Sequence, residues 1–180
     1  MVRKRVKVEL TGDVEQIVSF RLGQETFATM VSQVREIRKV EDITRVPKMP
    51  HYIEGVMNLR GQITTVIDLK KRLNIAAGGP SRTAQSRIIV AEVGDNQIGI
   101  IVDAVEDVMR VPKDSISPPP KTLAGMELAA LTGISKLPDK LIMMLDLEKV
   151  MNGAGTAWLG QAGTHLGEVA EQAEDREVST

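Results

Sequence analysis

Three aspartates each close an apolar run: Asp68 in Val66-Ile67-Asp68-Leu69, Asp103 in Ile101-Val102-Asp103-Ala104 and Asp146 in Met144-Leu145-Asp146-Leu147. Carboxylates that converged in space would suit a hard cation or acid–base hydrolysis. An Asp directly ahead of an amphipathic stretch has a simpler use. Before Leu69-Lys70-Lys71-Arg72-Leu73 and Leu147-Glu148-Lys149-Val150-Met151, it accepts the free amides of a helix N-terminus and stabilises the helix by about 1 kcal/mol. Capping is the preferred reading. A metal-dependent hydrolase built on Asp68, Asp103 and Asp146 stands as the alternative from another class.

Other reactive constellations are poorly supplied. The two histidines, His51 and His165, lie far apart in the chain and supply neither a histidine metal triad nor a Ser-His pair. His51 reads as a solvated loop residue. Gly78-Gly79 is followed by Pro80-Ser81-Arg82, without the lysine and helix start that cradle phosphate. Lys70-Lys71-Arg72, and Arg35, Arg38 and Lys39, lack interleaved aromatics on which bases could stack and read as solvated faces. Met143-Met144 sits in a strand-like run and fits aliphatic core filling. No catalytic residue, metal or cofactor is expected. Asn58-Leu59-Arg60-Gly61 stands apart, because an arginine at a strand end beside glycine offers a planar fork of donors that seeks a carboxylate. The plain alternative is a hairpin turn with a solvated Arg.

The bulk numbers point the same way. Lys and Arg total 23 against 24 for Asp and Glu, a net charge of -1, so no global field favours nucleic acid or anionic lipid. The chain holds no Cys, which excludes disulfides and thiolate chemistry and fits the cytoplasm. No apolar run approaches the roughly 20 residues of a bilayer span. With only 2% aromatic residues, Val, Ile, Leu and Met must fill the interior.

The elements that position these residues read as short strands. Residues 1–15 are expected to be a flexible N-terminal arm. Gln16 to Leu22 and Thr26 to Met30 flank Gly23-Gln24-Glu25 as a hairpin, and Ile53 to Leu59 with Ile63 to Ile67 flank Gly61-Gln62. Gly94-Asp95-Asn96, between Arg87–Val93 and Gln97–Val102, is the clearest turn signal. Val108 to Val111 and Leu141 to Leu145 add strands, and Ser117-Pro118-Pro119-Pro120 reads as an extended connection. Ala76 to Ser86 has a loop's composition. Residues 152–180 are expected to be disordered or a short helix around Gly167 to Arg176. The three Asp-terminated runs recur at unequal spacing and suggest repeated strand-to-helix corners in small barrels rather than a solenoid. The fold class is mainly β with a few short helices.

In order along the chain come Val34-Arg35-Glu36-Ile37-Arg38, Ile53-Glu54-Gly55-Val56-Met57-Asn58-Leu59-Arg60-Gly61, and Val66-Ile67-Asp68-Leu69. There follow Gly99-Ile100-Ile101-Val102-Asp103-Ala104-Val105, Ile116-Ser117-Pro118, Leu141-Ile142 and Leu145-Asp146-Leu147-Glu148. Taken as an ordered set over Gln16 to Met151, these resemble the CheW-type coupling proteins of chemotaxis. Thr65, where the family commonly has proline, the triple proline Pro118 to Pro120 and the long tail depart from the pattern.

The resemblance implies two intimately packed five-stranded SH3-like barrels over residues 16–151. It also implies an adaptor that couples the cytoplasmic hairpin tips of chemoreceptors to the regulatory domain of the histidine kinase CheA, without catalysis, in the cytoplasm and recruited to receptor arrays. A related motility pathway is the nearest alternative. Carried over by position, Val34, Glu36, Gly55, Asn58, Leu59, Arg60 and Val105 match the receptor-binding region, with Glu36 the ion partner of Arg60. Ile43 and Thr44 match the kinase surface.

Overall fold

The computed structural model describes residues 13–75, 82–120 and 130–152. Of the arm expected over residues 1–15 all but the last three residues, most of the tail expected over 152–180, and the helix expected around Gly167 to Arg176 lie outside the described residues. Within them, β1 (Val14–Leu22) and β2 (Glu25–Met30) form the opening hairpin. Leu22 pairs with Glu25, so Gly23-Gln24 is a two-residue turn, and Gly23 takes φ 61. The strand begins before Gln16, because Val14 and Glu15 already pair with Pro112 and Val111.

A 3-10 turn at Val31–Gln33 then carries the chain into a second sheet. That sheet contains β3 (Val34–Lys39), β4 (Ile53–Leu59), β5 (Gln62–Asp68), β6 (Arg87–Val93) and β7 (Asn96–Val102), with helix α1 (Leu69–Arg72) after β5. The chain returns through β8 (Ala104–Pro112), a 3-10 turn at Lys113–Ser115 and β9 (Ile116–Ser117). It ends in β10 (Leu131–Lys136), β11 (Leu141–Leu145) and helix α2 (Leu147–Asn152). The strand orders are β8-β1-β2-β11-β10-β9 and β3-β6-β7-β5-β4.

Each sheet closes on itself, which removes free edges. In the first, the outer strands β8 and β9 are consecutive pieces of chain bent at the 3-10 turn, so they act as one strand of a five-stranded barrel. In the second, the chain leaving β3 reaches Thr44, which pairs with Val56 on the far edge through two 2.8 Å backbone hydrogen bonds. The second barrel is thus inserted between strands of the first.

The alternation along β6 shows how one strand serves two cores, since successive side chains point to opposite faces. Ile88 and Val90 pack inside the second barrel with Met57, Leu59, Val66 and Ile101. Ile89 and Ala91 face a cluster that both barrels share with Phe20, Leu22, Phe27, Ile67, Ile98 and Ile100. A strand buried on both faces reads as a continuous apolar run, which is why Arg87 to Val93 stands out. The first barrel's interior is Ile17, Ala28, Val111, Ile142 and Met144. Met143 packs on the shared cluster, so both methionines fill core.

Two expectations are corrected and one strand is added. Asp103 does not start a helix; β8 follows it directly. Lys70 is not on a solvated face but buried. β10 is a strand that the sequence reading missed, because Gly133 interrupts its alternation. A Cβ at Gly133 would lie 2.5 Å from Ile116 Cγ2, so the glycine lets β9 approach.

Candidate partner-binding site

β4 and β5 are joined by Arg60-Gly61, with Leu59 paired to Gln62. Both turn residues have positive φ, 52 for Arg60 and 83 for Gly61, as a two-residue turn matched to strand twist requires. Asn58 Oδ1 accepts the Gly61 N–H at 2.8 Å and holds the turn. A non-glycine side chain in this region costs about 1–2 kcal/mol. That cost falls on a cation displayed at the tip of a hairpin, and strain retained in such a place points to function. Replacing Arg60 by Asn, which tolerates the left-handed region ahead of glycine, is expected to raise the thermal midpoint by roughly 1–4 °C. A midpoint lowered in differential scanning calorimetry would contradict the strain.

Arg60 Nη2 donates to Glu36 Oε2 on β3 at 2.9 Å, with side-chain exposures of 77% and 22%. A pair so open to water contributes only about 0–1 kcal/mol, so its effect is to orient the Arg60 fork. Glu36 Oε1 also faces Arg38 Nη1 at 3.4 Å, and Arg38 Nη2 meets both oxygens of Glu41 at 3.1 and 3.2 Å. Hydrogen bonds to Glu41 first and Glu36 second hold the Arg38 guanidinium above its ordinary pKa. Ile63, across from Asn58, is 49% exposed and sets an apolar surface beside the turn. Sequence reasoning did not single it out; its place opposite Asn58 in the hairpin register was the available signal.

The remaining candidates are distributed differently. Leu59 is turned into the second barrel's core, where it anchors the turn from below. Val34 and Val105 are partly buried against the shared cluster, on β3 and β8. Gly55 is buried under the closing segment, with φ +145, and a Cβ there would fall 2.0 Å from Thr44 O. It therefore belongs structurally with Ile43 and Thr44. Ile43 packs against the second barrel's core, and Thr44 is exposed. Ile43 also borders a cavity of about 420 Å³ lined by Arg45, Glu54, Asp68, Lys71 and Arg82. There Glu54 accepts from Lys71 Nζ at 2.6 Å and Arg82 Nη2 at 2.8 Å.

The aspartates do not converge. Asp68 Oδ1 accepts from Lys71 N at 3.2 Å, and Asp146 Oδ1 accepts from Glu148 N at 3.0 Å and Lys149 N at 3.4 Å. Both are helix caps. Asp103 instead takes Lys70 Nζ at 2.7 Å and the Gly23 N–H at 2.7 Å. Among the described residues no three His, Cys, Asp or Glu side chains gather as a metal site. The basic runs are engaged too: Lys71 with Glu54, Arg35 with Glu92, and Arg72 over the Tyr52 ring at 5.3 Å. His51 is exposed but lies edge-on to Tyr52 at 5.7 Å. Burial raises the Tyr52 phenol pKa, and the Arg72 charge opposes that shift.

The family model for the CheW-like domain matches residues 16–155. The chain is 33% identical over 138 residues to the chemotaxis protein CheW of Klebsiella aerogenes, covering 77% of this chain and 82% of that protein. It is 29% identical over 107 residues to protein FrzA of Myxococcus xanthus, covering 59% and 65%. The crystal structure of the scaffolding protein TtCheW from Thermoanaerobacter tengcongensis superposes with a TM-score of 0.70 at 39% identity, over 77% of this chain and 92% of that one.

Proposed function

The chain belongs to the CheW-like family, and from that premise we propose that it is a non-catalytic adaptor joining the cytoplasmic hairpin tips of chemoreceptors to the histidine kinase CheA. The observation that carries this reading is Arg60, a charged side chain held at positive φ on a hairpin tip and aimed by Glu36. A helical hairpin docking there would gain affinity from apolar burial, with Ile63 at hand, and register from the Arg60 fork and Asn58. Val34 and Val105 would contribute apolar surface from the seam between the barrels. Ile43 and Thr44 form a separate surface, which this reading assigns to the kinase, and the buried Gly55 backbone beneath them supports it. On this reading the protein works in the cytoplasm at membrane-associated receptor arrays. Among the described residues no helix is long and apolar enough to cross a membrane.

Mixing the protein with receptor signalling fragments and CheA is expected to give a co-sedimenting ternary assembly; binding to neither partner would defeat the proposal. Arg60→Ala is expected to weaken receptor-fragment binding by about tenfold or more, as for an anchoring arginine, with far-ultraviolet circular dichroism unchanged. Unaltered affinity in isothermal titration would remove Arg60 from the receptor site. The similarity to FrzA favours a second reading, an adaptor of the same build serving a related motility pathway, which co-purification from the native cell would distinguish by the receptors recovered.

A further inference from the structure

Glu36 does not face Arg60 alone. Its two oxygens are divided, Oε2 to Arg60 and Oε1 to Arg38, and Arg38 in turn holds Glu41 through both carboxylate oxygens. The result is an alternating chain of charges, Arg60–Glu36–Arg38–Glu41. It starts at the β4–β5 hairpin tip and ends just before Ile43 and Thr44, where the chain closes the barrel against Val56. An exposed ion pair by itself samples many rotamers. A carboxylate held from behind by a second guanidinium, itself clamped by a second carboxylate, is a fixed acceptor. Planar guanidinium groups suit this use, since they bond on two sides without changing shape.

We propose that Arg38 and Glu41 are positioning residues for the Arg60 fork, and that this charge chain couples occupancy of the hairpin tip to the placement of Ile43–Thr44. What Arg60 and Ile43–Thr44 each bind rests on the adaptor reading; the positioning itself does not. By linkage, if binding at the Arg60 tip changes the affinity of the Ile43–Thr44 segment for its own partner, binding at that segment changes the affinity of the tip by the same factor. No domain motion is required.

Two measurements on the full chain test this separately. In the free protein, Glu41→Gln removes a charge that does not contact Arg60. It is expected to shift the Arg60 Nε–Hε resonance and increase that side chain's mobility in nitrogen relaxation, with the thermal midpoint unchanged. An Arg60 signal indifferent to both Glu41→Gln and Arg38→Met would overturn the proposal whatever the chain binds. In receptor-fragment titrations, Glu41→Gln is expected to weaken binding by about two- to fivefold in the native background and to have no effect beside Arg60→Ala. An equal effect in both backgrounds would overturn the coupling. If Arg60→Ala alone left receptor binding intact, the adaptor reading would fail at Arg60, while the resonance measurement would still decide the positioning.

Discussion

Gly55→Ala is expected to destabilise the protein by roughly 3–6 kcal/mol, combining strain at a positive φ with the loss of two backbone hydrogen bonds. Gly55 holds φ +145, and a Cβ built there lies 2.0 Å from Thr44 O and 2.7 Å from Thr44 C. The obstacle is backbone and cannot swing aside like a side-chain end. The Thr44 segment must lift, which breaks the Thr44 N–H to Val56 O and Val56 N–H to Thr44 O bonds, both 2.8 Å. The second barrel would lose its closure. In urea titration the midpoint should fall, and the thermal midpoint should drop by roughly 10–20 °C. Hydrogen exchange localises the effect: the Thr44 and Val56 amides should lose protection before those of β6 and β7. A variant as stable as the native protein, with both amides still protected, would show that the backbone at Gly55 relaxes without cost. Because Ile43 and Thr44 move with the lifted segment, the proposed kinase contact should weaken together with the fold.

The second large effect concerns Asp103. Lys70 Nζ sits 2.7 Å from Asp103 Oδ1, with side-chain exposures of 10% and 25%, and Asp103 Oδ2 accepts the Gly23 N–H at 2.7 Å. The Asp103 N–H also donates to Arg21 O at 3.0 Å. One residue at the crossover from β7 to β8 thus ties the β1–β2 hairpin of the first barrel to α1 of the second. Removing one partner of a buried pair leaves an uncompensated charge and costs about 3–5 kcal/mol. Asp103→Ala should fall in that range, because Lys70 is the more deeply buried member. Lys70→Met should cost less, since Asp103 remains partly hydrated and keeps its bond from Gly23. Combining Lys70→Met with Asp103→Ala should recover much of the loss, as the stranded ammonium is gone. Chemical denaturation of the four proteins of this cycle measures the coupling. Additive losses would mean that the pair contributes little despite its short distance.

Features that depend on neighbouring residues were legible without coordinates. Gly23 and Gly94, both near φ 61, sit where two strand-like runs meet and only a turn fits. Asp68 and Asp146 cap the helices that follow them because a cap and its amides lie within one turn of chain. Asp103 has the same preceding pattern and a different use. Nothing within its own segment distinguishes it, since its partners come from α1 and from the β1–β2 turn. The Glu36–Arg60 pair was named from family resemblance, and the structure gives it a distance and an exposure. Lys70 and Arg72 looked solvated because a short helix after a strand does not declare which face it buries.

The sequence by itself determined the strand-rich class, the positions of three hairpin turns to within a residue, the two helix caps and the prominence of Asn58 to Gly61. These rest on φ preferences, side-chain alternation and local hydrogen bonding, all of which act over a few residues. The tertiary structure alone decided that Gly55 lies beneath Thr44, that Lys70 is buried on Asp103, and that Leu59 points inward while Ile63 points out. It also decided that Arg38 and Glu41 stand behind Glu36. Each of these depends on barrel closure and strand register, which bring together segments distant in the chain, and no local preference encodes which distant group will arrive.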